Sequence, residues 1–390
     1  MHPNDIFAER AVQFHPPPTH FTLIIATDGQ FLASASDSTL LTREVSDAIV
    51  WQQDGNTLSH PDTGIVLTAT QKASLGFTLV AETPVDASAG PFELAHGPEL
   101  RPSTYLEHLR THGWVVLNSI MSPETIEALE RMACTDRYRK NSPDRSQPQI
   151  CQDPVLARVA VEPISLWLAR EYMQTDQIRL AHTPGIGVLM PDDGERAVQG
   201  WHSDYPYHWG INAAGKVPTP SGRTVMGVQR IVCVSEYTKV RGATAFKLGS
   251  HLLDSGPPED WGLAQDTFQP GHRAEHGLPY NGPNADVIEA PAGSVILFDT
   301  RTWHRAGVNR TDAGRAAILM DTTPAYIIPY SDTSADYKAL TESSFYAELN
   351  HREQAELQEL MVHRFLGPAG PRSVIGTHHE LSALLGRPRP

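Results

Sequence analysis

The chain has 390 residues, 40% of them hydrophobic, and a formal net charge of −14 with His counted neutral. That is enough apolar material for one large domain with a small one appended, and the acidic balance argues against nucleic acid or an anionic membrane surface as partner, since both need Lys/Arg-rich faces. Cys134, Cys151 and Cys233 form no CxxC pair and no disulfide framework; with no run near the roughly 18 apolar residues of a membrane span and no signal-peptide pattern in MHPNDIFAERAVQFHPPP, the expectation is a soluble cytoplasmic protein.

Residues 20 to 81 read as β-rich. FTLIIATDGQFLASAS places a strand, a turn at Asp28-Gly29 and a second strand in succession; AIVWQQDGNTLSHPDTGIVLTA repeats the plan with turns at Asp54-Gly55 and Asp62-Thr63-Gly64, and GFTLVAE adds another strand. The stretch TPVDASAGPFELAHGPELRP reads as a linker. A boundary near residue 97 follows, with a small β-rich accessory domain over 1–97 and the main domain over 98–390.

Beyond the boundary, STYLEHLRTHG predicts a helix with Ser103 as N-cap and Gly113 as stop, and PETIEALERMA a second with Pro123 in its first turn behind Ser122. WVVLNSI between them is a short strand. DPVLARVAVEPISLWLAREYM is more helix, interrupted near Pro163. From about 177 to 330 apolar or alternating runs dominate: QIRLAHTPGIGVLM, TVMGVQRIVCVSEY, ATAFKL, DVIEAPAGSVILFD and AAILMDT. Short antiparallel strands over this length suggest a double-sheet jelly roll. The tail ALTESSFYAELNHREQAELQELMVHRFL reads as amphipathic helix with a solvated charged face. The fold class is mainly β with flanking helices.

The chemistry is concentrated in GWHSDYPYHWG. His202 and Asp204 are two apart, so on a strand they point to one face and can share a divalent metal. A third ligand comes from elsewhere, and His304 in PAGSVILFDTRTWHRAGVNR follows a strongly apolar strand that would hold it rigidly. Two His and one carboxylate leave open positions on an octahedral metal, the arrangement of non-haem iron(II) with a bidentate keto acid. The far carboxylate of such a co-substrate needs a cation, and Arg315 lies eleven positions after His304 across the turn-rich NRTDAG. Arg310 competes for that role from within the turn. Gln199 is placed to hydrogen-bond substrate or co-substrate, with a plain strand-edge Gln as the rival reading. Tyr205, Tyr207, His208 and Trp209 follow the ligand pair and could line a substrate pocket or simply pack a loop. His182 could face the cavity or sit in the core.

Four ordered pieces, WHSD (201–204), GATAFKLGSH (242–251), APAGSVILFDTRTWH (290–304) and NRTDAGR (309–315), resemble the phytanoyl-CoA dioxygenase family of Fe(II)/2-oxoglutarate oxygenases over roughly Ser103 to Tyr326. The resemblance implies a double-stranded β-helix core, Fe(II) on His202, Asp204 and His304, 2-oxoglutarate on Arg315, and O2 as oxidant. It also implies a structural turn role for His251. Two positions depart from the family: Lys247-Leu248 precedes GSH where many members have an apolar residue and Pro, and Ala306 stands where some carry a Ser for the keto acid, so either Thr302 or Thr244 supplies a substitute hydroxyl or none does. Related halogenases lack the carboxylate ligand; Asp204 therefore points to hydroxylation, desaturation, epoxidation or ring formation. The implied substrate is a small molecule of natural-product type, with a homodimer as the possible assembly. The competing readings are a cupin-like metalloenzyme that does not use 2-oxoglutarate and a binding protein acting through the N-terminal β domain.

Overall fold

The computed structural model describes residues 9–14, 19–71, 77–81, 91–138, 146–205, 224–253, 255–280, 282, 284–327, 329–362, 364–367 and 370–373. Strand β1 (Arg10–Gln13) stands apart from the segment that follows it. Next come β2 (Thr22–Ala26), β3 (Phe31–Ser34), β4 (Thr39–Thr42), β5 (Val50–Asp54), β6 (Thr57–Ser59), β7 (Val66–Gln71), β8 (Phe77–Ala81) and β9 (Phe92–His96). They hydrogen-bond in the order β4-β3-β2-β5-β6-β7-β8-β9, and β2 also pairs with β9, so six strands close into a barrel and their edges vanish. Ile24, Leu32, Trp51, Leu58, Leu67 and Phe92 fill it. FELAH, read from sequence as linker, is the closing strand β9. Its partner lies some seventy residues earlier, and Pro/Gly-rich flanks hide its period.

Helix α1 (Pro102–His112) starts one residue before the expected cap. Arg101 holds the N-cap position, and Ser103 instead reaches the Asp47 carboxylate through its N–H at 2.9 Å and its hydroxyl at 2.6 Å. Gly113 ends the helix at φ 74°, where any Cβ would meet the His251 ring. Then follow β10 (Trp114–Leu117), α2 (Pro123–Ala133), capped by Ser122, α3 (Pro154–Ala160), α4 (Pro163–Met173), β11 (Ile178–Leu180), β12 (Gly185–Leu189), β13 (Val228–Cys233) and β14 (Ala245–Lys247). Short helices α5 (Ala264–Thr267) and α6 (His272–His276) lead to β15 (Asp286–Glu289), β16 (Val295–Asp299), β17 (Trp303–Arg305) and β18 (Arg315–Pro324). The tail expected as one helix divides into α7 (Ser334–Thr341), a 3-10 turn at Tyr346–Glu348, and α8 (His351–Met361), which Asn350 and Glu353 open as a capping box. A hairpin of β19 (Arg364–Gly367) and β20 (Gly370–Ser373) follows.

Two sheets make the jelly roll. The larger runs β10-β16-β13-β18-β11, with β12 also beside β18; the smaller runs β1-β15-β14-β17. Both faces of the larger sheet are covered. Val115, Leu117, Val228, Val232, Val295, Leu297, Ile318 and Met320 pack toward the helices, whereas Val116, Ile231, Ile296, Phe298 and Ala317 pack toward the smaller sheet. That is why VILFD reads as an unbroken apolar run rather than an alternating one.

The N-terminal unit is not freestanding. Leu23, Phe31, Val45, Ile49 and Val50 belong to the same buried cluster as residues of α1, α4 and α8. Moreover β1, within the 1–97 span assigned to an accessory domain, is a strand of the jelly roll, parallel to β15. Among the described residues no helix is long and apolar enough to cross a membrane.

Candidate metal centre

His202 and His304 meet in an isolated antiparallel bridge, each N–H donating to the other's carbonyl at 2.9 and 2.8 Å. This sets the two imidazoles 4.2 Å apart, centroid to centroid. Asp204, two residues on, donates its N–H to Thr300 O at 2.9 Å and turns its carboxylate toward them. Oδ1 lies 3.6 Å from His304 Nε2 and 3.9 Å from His202 Nε2. One ligand atom from each of the three residues falls within 4.8 Å of the others, and all three side chains are buried.

The protonation pattern suits a cation. His202 Nδ1 lies 2.9 Å from Gly200 O, and His304 Nδ1 2.9 Å from Thr302 O. A carbonyl only accepts, so each Nδ1 carries the proton and each Nε2 offers a lone pair to the cavity. Burial lowers the pKa of His304, keeping it neutral. Burial alone pushes the Asp204 carboxyl up to about 7, and among the described residues no Lys or Arg pairs with it. Two neutral imidazoles beside a desolvated acid are a set that a divalent metal completes.

The scaffold holds His304 tightly. In the turn from β16 to β17, the Asp299 carboxylate accepts from Arg301 Nε at 3.0 Å, from the Arg301 N–H at 2.9 Å and from the Tyr172 hydroxyl at 2.9 Å. Ser250, in the GSH segment, accepts the Trp303 N–H at 2.8 Å. His251 beside it packs on Gly113, outside the triad.

The triad opens on a cavity of about 470 Å³. Four alternate residues of β18, Arg315, Ala317, Leu319 and Asp321, line one wall. The Arg315 guanidinium lies over the Tyr237 ring at 4.5 Å, and its Nε is buried without a hydrogen-bond partner among the described residues. The Tyr237 hydroxyl is 2.7 Å from Thr244 Oγ1, and both residues line the cavity. A cation and two hydroxyls with no carboxylate among them fit the distal end of a dicarboxylate.

The remaining predicted residues divide. Gln199 lines the cavity, with its amide 3.1 Å from His202 Nε2. His182 lines it as well, its side chain 32% exposed. Tyr205 stacks on Tyr330 at 4.9 Å, and the Tyr330 hydroxyl donates to Asp204 O at 3.1 Å, so this tyrosine pair braces the ligand strand from outside the cavity lining. Thr302 is outside that lining too; its carbonyl fixes His304 and its buried hydroxyl has no partner. Arg310 is likewise outside the lining. Tyr207, His208 and Trp209 lie outside the described residues.

Sequence reading missed Tyr237, Gln229 and Asp321. Gln229 sits directly opposite Asp321 in the β13–β18 register, and its amide nitrogen reaches Asp321 Oδ1 at 3.0 Å and Asp204 Oδ2 at 3.3 Å. A signal existed. Asp321 is six residues past Arg315, so on one strand both face the same side, and Gln229 with Arg230 breaks the apolar run of β13. Nothing in the sequence pointed to Tyr237.

A profile of the phytanoyl-CoA dioxygenase (PhyH) family matches residues 109–317. The chain is 25% identical over 277 residues to dioxygenase af480 of Aspergillus fumigatus, covering 67% of this chain and 76% of that protein. It is 23% identical over 249 residues to dioxygenase trt7 of Aspergillus terreus, covering 60% and 77%. Among solved structures, the epimerase SnoN in complex with Fe3+, alpha ketoglutarate and nogalamycin RO aligns at 17% identity and TM-score 0.40, over 57% of this chain and 84% of that one.

Proposed function

The chain belongs to the phytanoyl-CoA dioxygenase family, the Fe(II)- and 2-oxoglutarate-dependent oxygenases, and from that premise we propose that it hydroxylates or otherwise oxidises a small molecule of natural-product type. His202, Asp204 and His304 hold the iron, and Arg315, with Tyr237 and Thr244, takes the distal carboxylate of 2-oxoglutarate. One observation carries this reading: three convergent ligand atoms face the same cavity as the Arg315 guanidinium, whose Nε has no hydrogen-bond partner among the described residues. Bound there, iron with 2-oxoglutarate and O2 supplies the oxidant for a substrate C–H bond, releasing succinate and CO2.

The chain's own residues do the rest. The Gly200 and Thr302 carbonyls fix both tautomers. Gln199, whose amide nitrogen lies 3.1 Å from His202 Nε2 in the cavity lining, would contact a co-substrate held beside the ligands. The cavity's size suits a small-molecule substrate.

The test is succinate formation that requires added 2-oxoglutarate and Fe(II). His202→Ala should lose both iron content and turnover. Arg315→Ala should raise the KM for 2-oxoglutarate at least about tenfold while retaining iron, because it removes a charge-assisted contact without touching the ligands. Iron retained in His202→Ala, or an unchanged KM in Arg315→Ala, would reject the assignment.

A further inference from the structure

We propose that Asp321 anchors the substrate, and that the substrate presents to it a hydrogen-bond donor, an amine or a hydroxyl, carried on a compact apolar skeleton. The inference rests on the oxygenase reading above and concerns the other end of the same cavity.

Strand β18 gives the cavity two poles. Arg315 and Asp321 are six residues apart, about 20 Å along an extended strand, and both side chains face inward. The Arg315 pole, with the Tyr237 and Thr244 hydroxyls, matches a dicarboxylate. The Asp321 pole adjoins the triad, since one amide nitrogen of Gln229 reaches both Asp321 and Asp204. A group bound at Asp321 is therefore within a few ångströms of the metal ligands, where a reacting carbon must lie.

The Asp321 carboxylate is buried and accepts from the amide nitrogen that also reaches Asp204. Its Oδ2 faces His182 Nε2 across 3.9 Å, too far for a hydrogen bond. His182 Nδ1 lies 3.1 Å from Thr183 O and carries the proton there, so Nε2 is a second acceptor. Two acceptors face each other across a gap at the partly exposed edge of the cavity, and beside them an ammonium can donate to both and a hydroxyl to one.

Charge points the same way. Once a dicarboxylate occupies the Arg315 pole, Asp321 leaves the cavity with excess negative charge. A substrate carrying phosphate or carboxylate at the Asp321 pole is repelled, and a neutral or cationic donor is accepted. Between the poles Gly187, Leu189, Ala317 and Leu319 offer apolar surface for the skeleton.

The full-length enzyme, loaded with Fe(II) and 2-oxoglutarate without oxygen, supplies the assay through the visible absorption of the iron–keto acid chelate. Bornylamine, borneol and borneol methyl ether share one apolar cage and differ in the donor. Titrated against the chelate spectrum, the amine and the alcohol should bind at least about tenfold tighter than the ether, the minimum for a charge-assisted hydrogen bond. In Asp321→Asn the amine should lose about tenfold while the ether is unchanged. Equal responses to the three probes in the wild type, absence of response included, would overturn the proposal, as would a loss in Asp321→Asn shared by the ether. Failure of the chelate band to form in the wild type would instead overturn the oxygenase reading itself.

Discussion

Asp204 divides its carboxylate between two tasks. Oδ1 turns to the imidazoles, and Oδ2 takes the Gln229 amide at 3.3 Å. Gln229 is itself anchored on Asp321, so the orientation of the metal carboxylate depends on a side chain that no spacing rule connects to it. Outer contacts of this kind typically contribute ten- to a hundredfold in metal affinity. Gln229→Leu should weaken Fe(II) binding by about that factor in an anaerobic titration of the apoprotein. An unchanged dissociation constant would show that Asp204 holds its position unaided. At this scale the candidate ligands were legible because His202 and Asp204 sit two apart and His304 follows an apolar strand. Tyr237 was not, and Gln229 showed only as a polar break in its strand, because their roles arise from neighbours on other strands.

Among the elements, the turn between β2 and β3 joins the barrel to the helices. Gly29 has φ +88°, and a Cβ there would fall 2.4 Å from Asn350 Oδ1 and 2.8 Å from Arg352 Cβ. The Arg352 N–H meets Asp28 O at 3.3 Å across the same junction. The Asp-Gly pair was readable as a turn; that its glycine is also the seat of the α8 capping box was not. Gly29→Ala should cost at least about 1 kcal/mol for the left-handed backbone alone, with the clash added. A thermal melt should show a drop of at least about 1 °C. An unaltered melt would mean that barrel and helix do not bear on each other. The Ser103 expectation failed at this scale for a related reason: a residue that caps well in isolation was drawn to Asp47 on the barrel.

For the whole molecule, the shared core implies shared stability. Barrel residues Leu23, Phe31 and Val50 bury apolar surface against the same cluster as Tyr105, Leu166 and Leu357. Strand β1 precedes the barrel in the chain yet belongs to the jelly roll. The intact protein should therefore unfold in one cooperative calorimetric transition, and deletion of residues 19–97 should yield insoluble or unfolded chain, because it bares that face. Two resolved transitions, or a soluble deletion variant that still binds iron, would show an accessory module instead of an integral layer.

The sequence by itself determined the strand-rich class, the turns, most helix limits and the three metal-binding candidates. Those signals are local: side-chain period, φ-restricting Gly and Pro, and two ligands on one face of a strand. Only the tertiary structure decided that the N-terminal strands close into a barrel, that β1 leaves them for the jelly roll, and that Asp321 and Tyr237 complete the two poles of the cavity. Each of these depends on which distant strands pair and in what register, a choice made by the burial of both sheet faces at once and not written in any single segment.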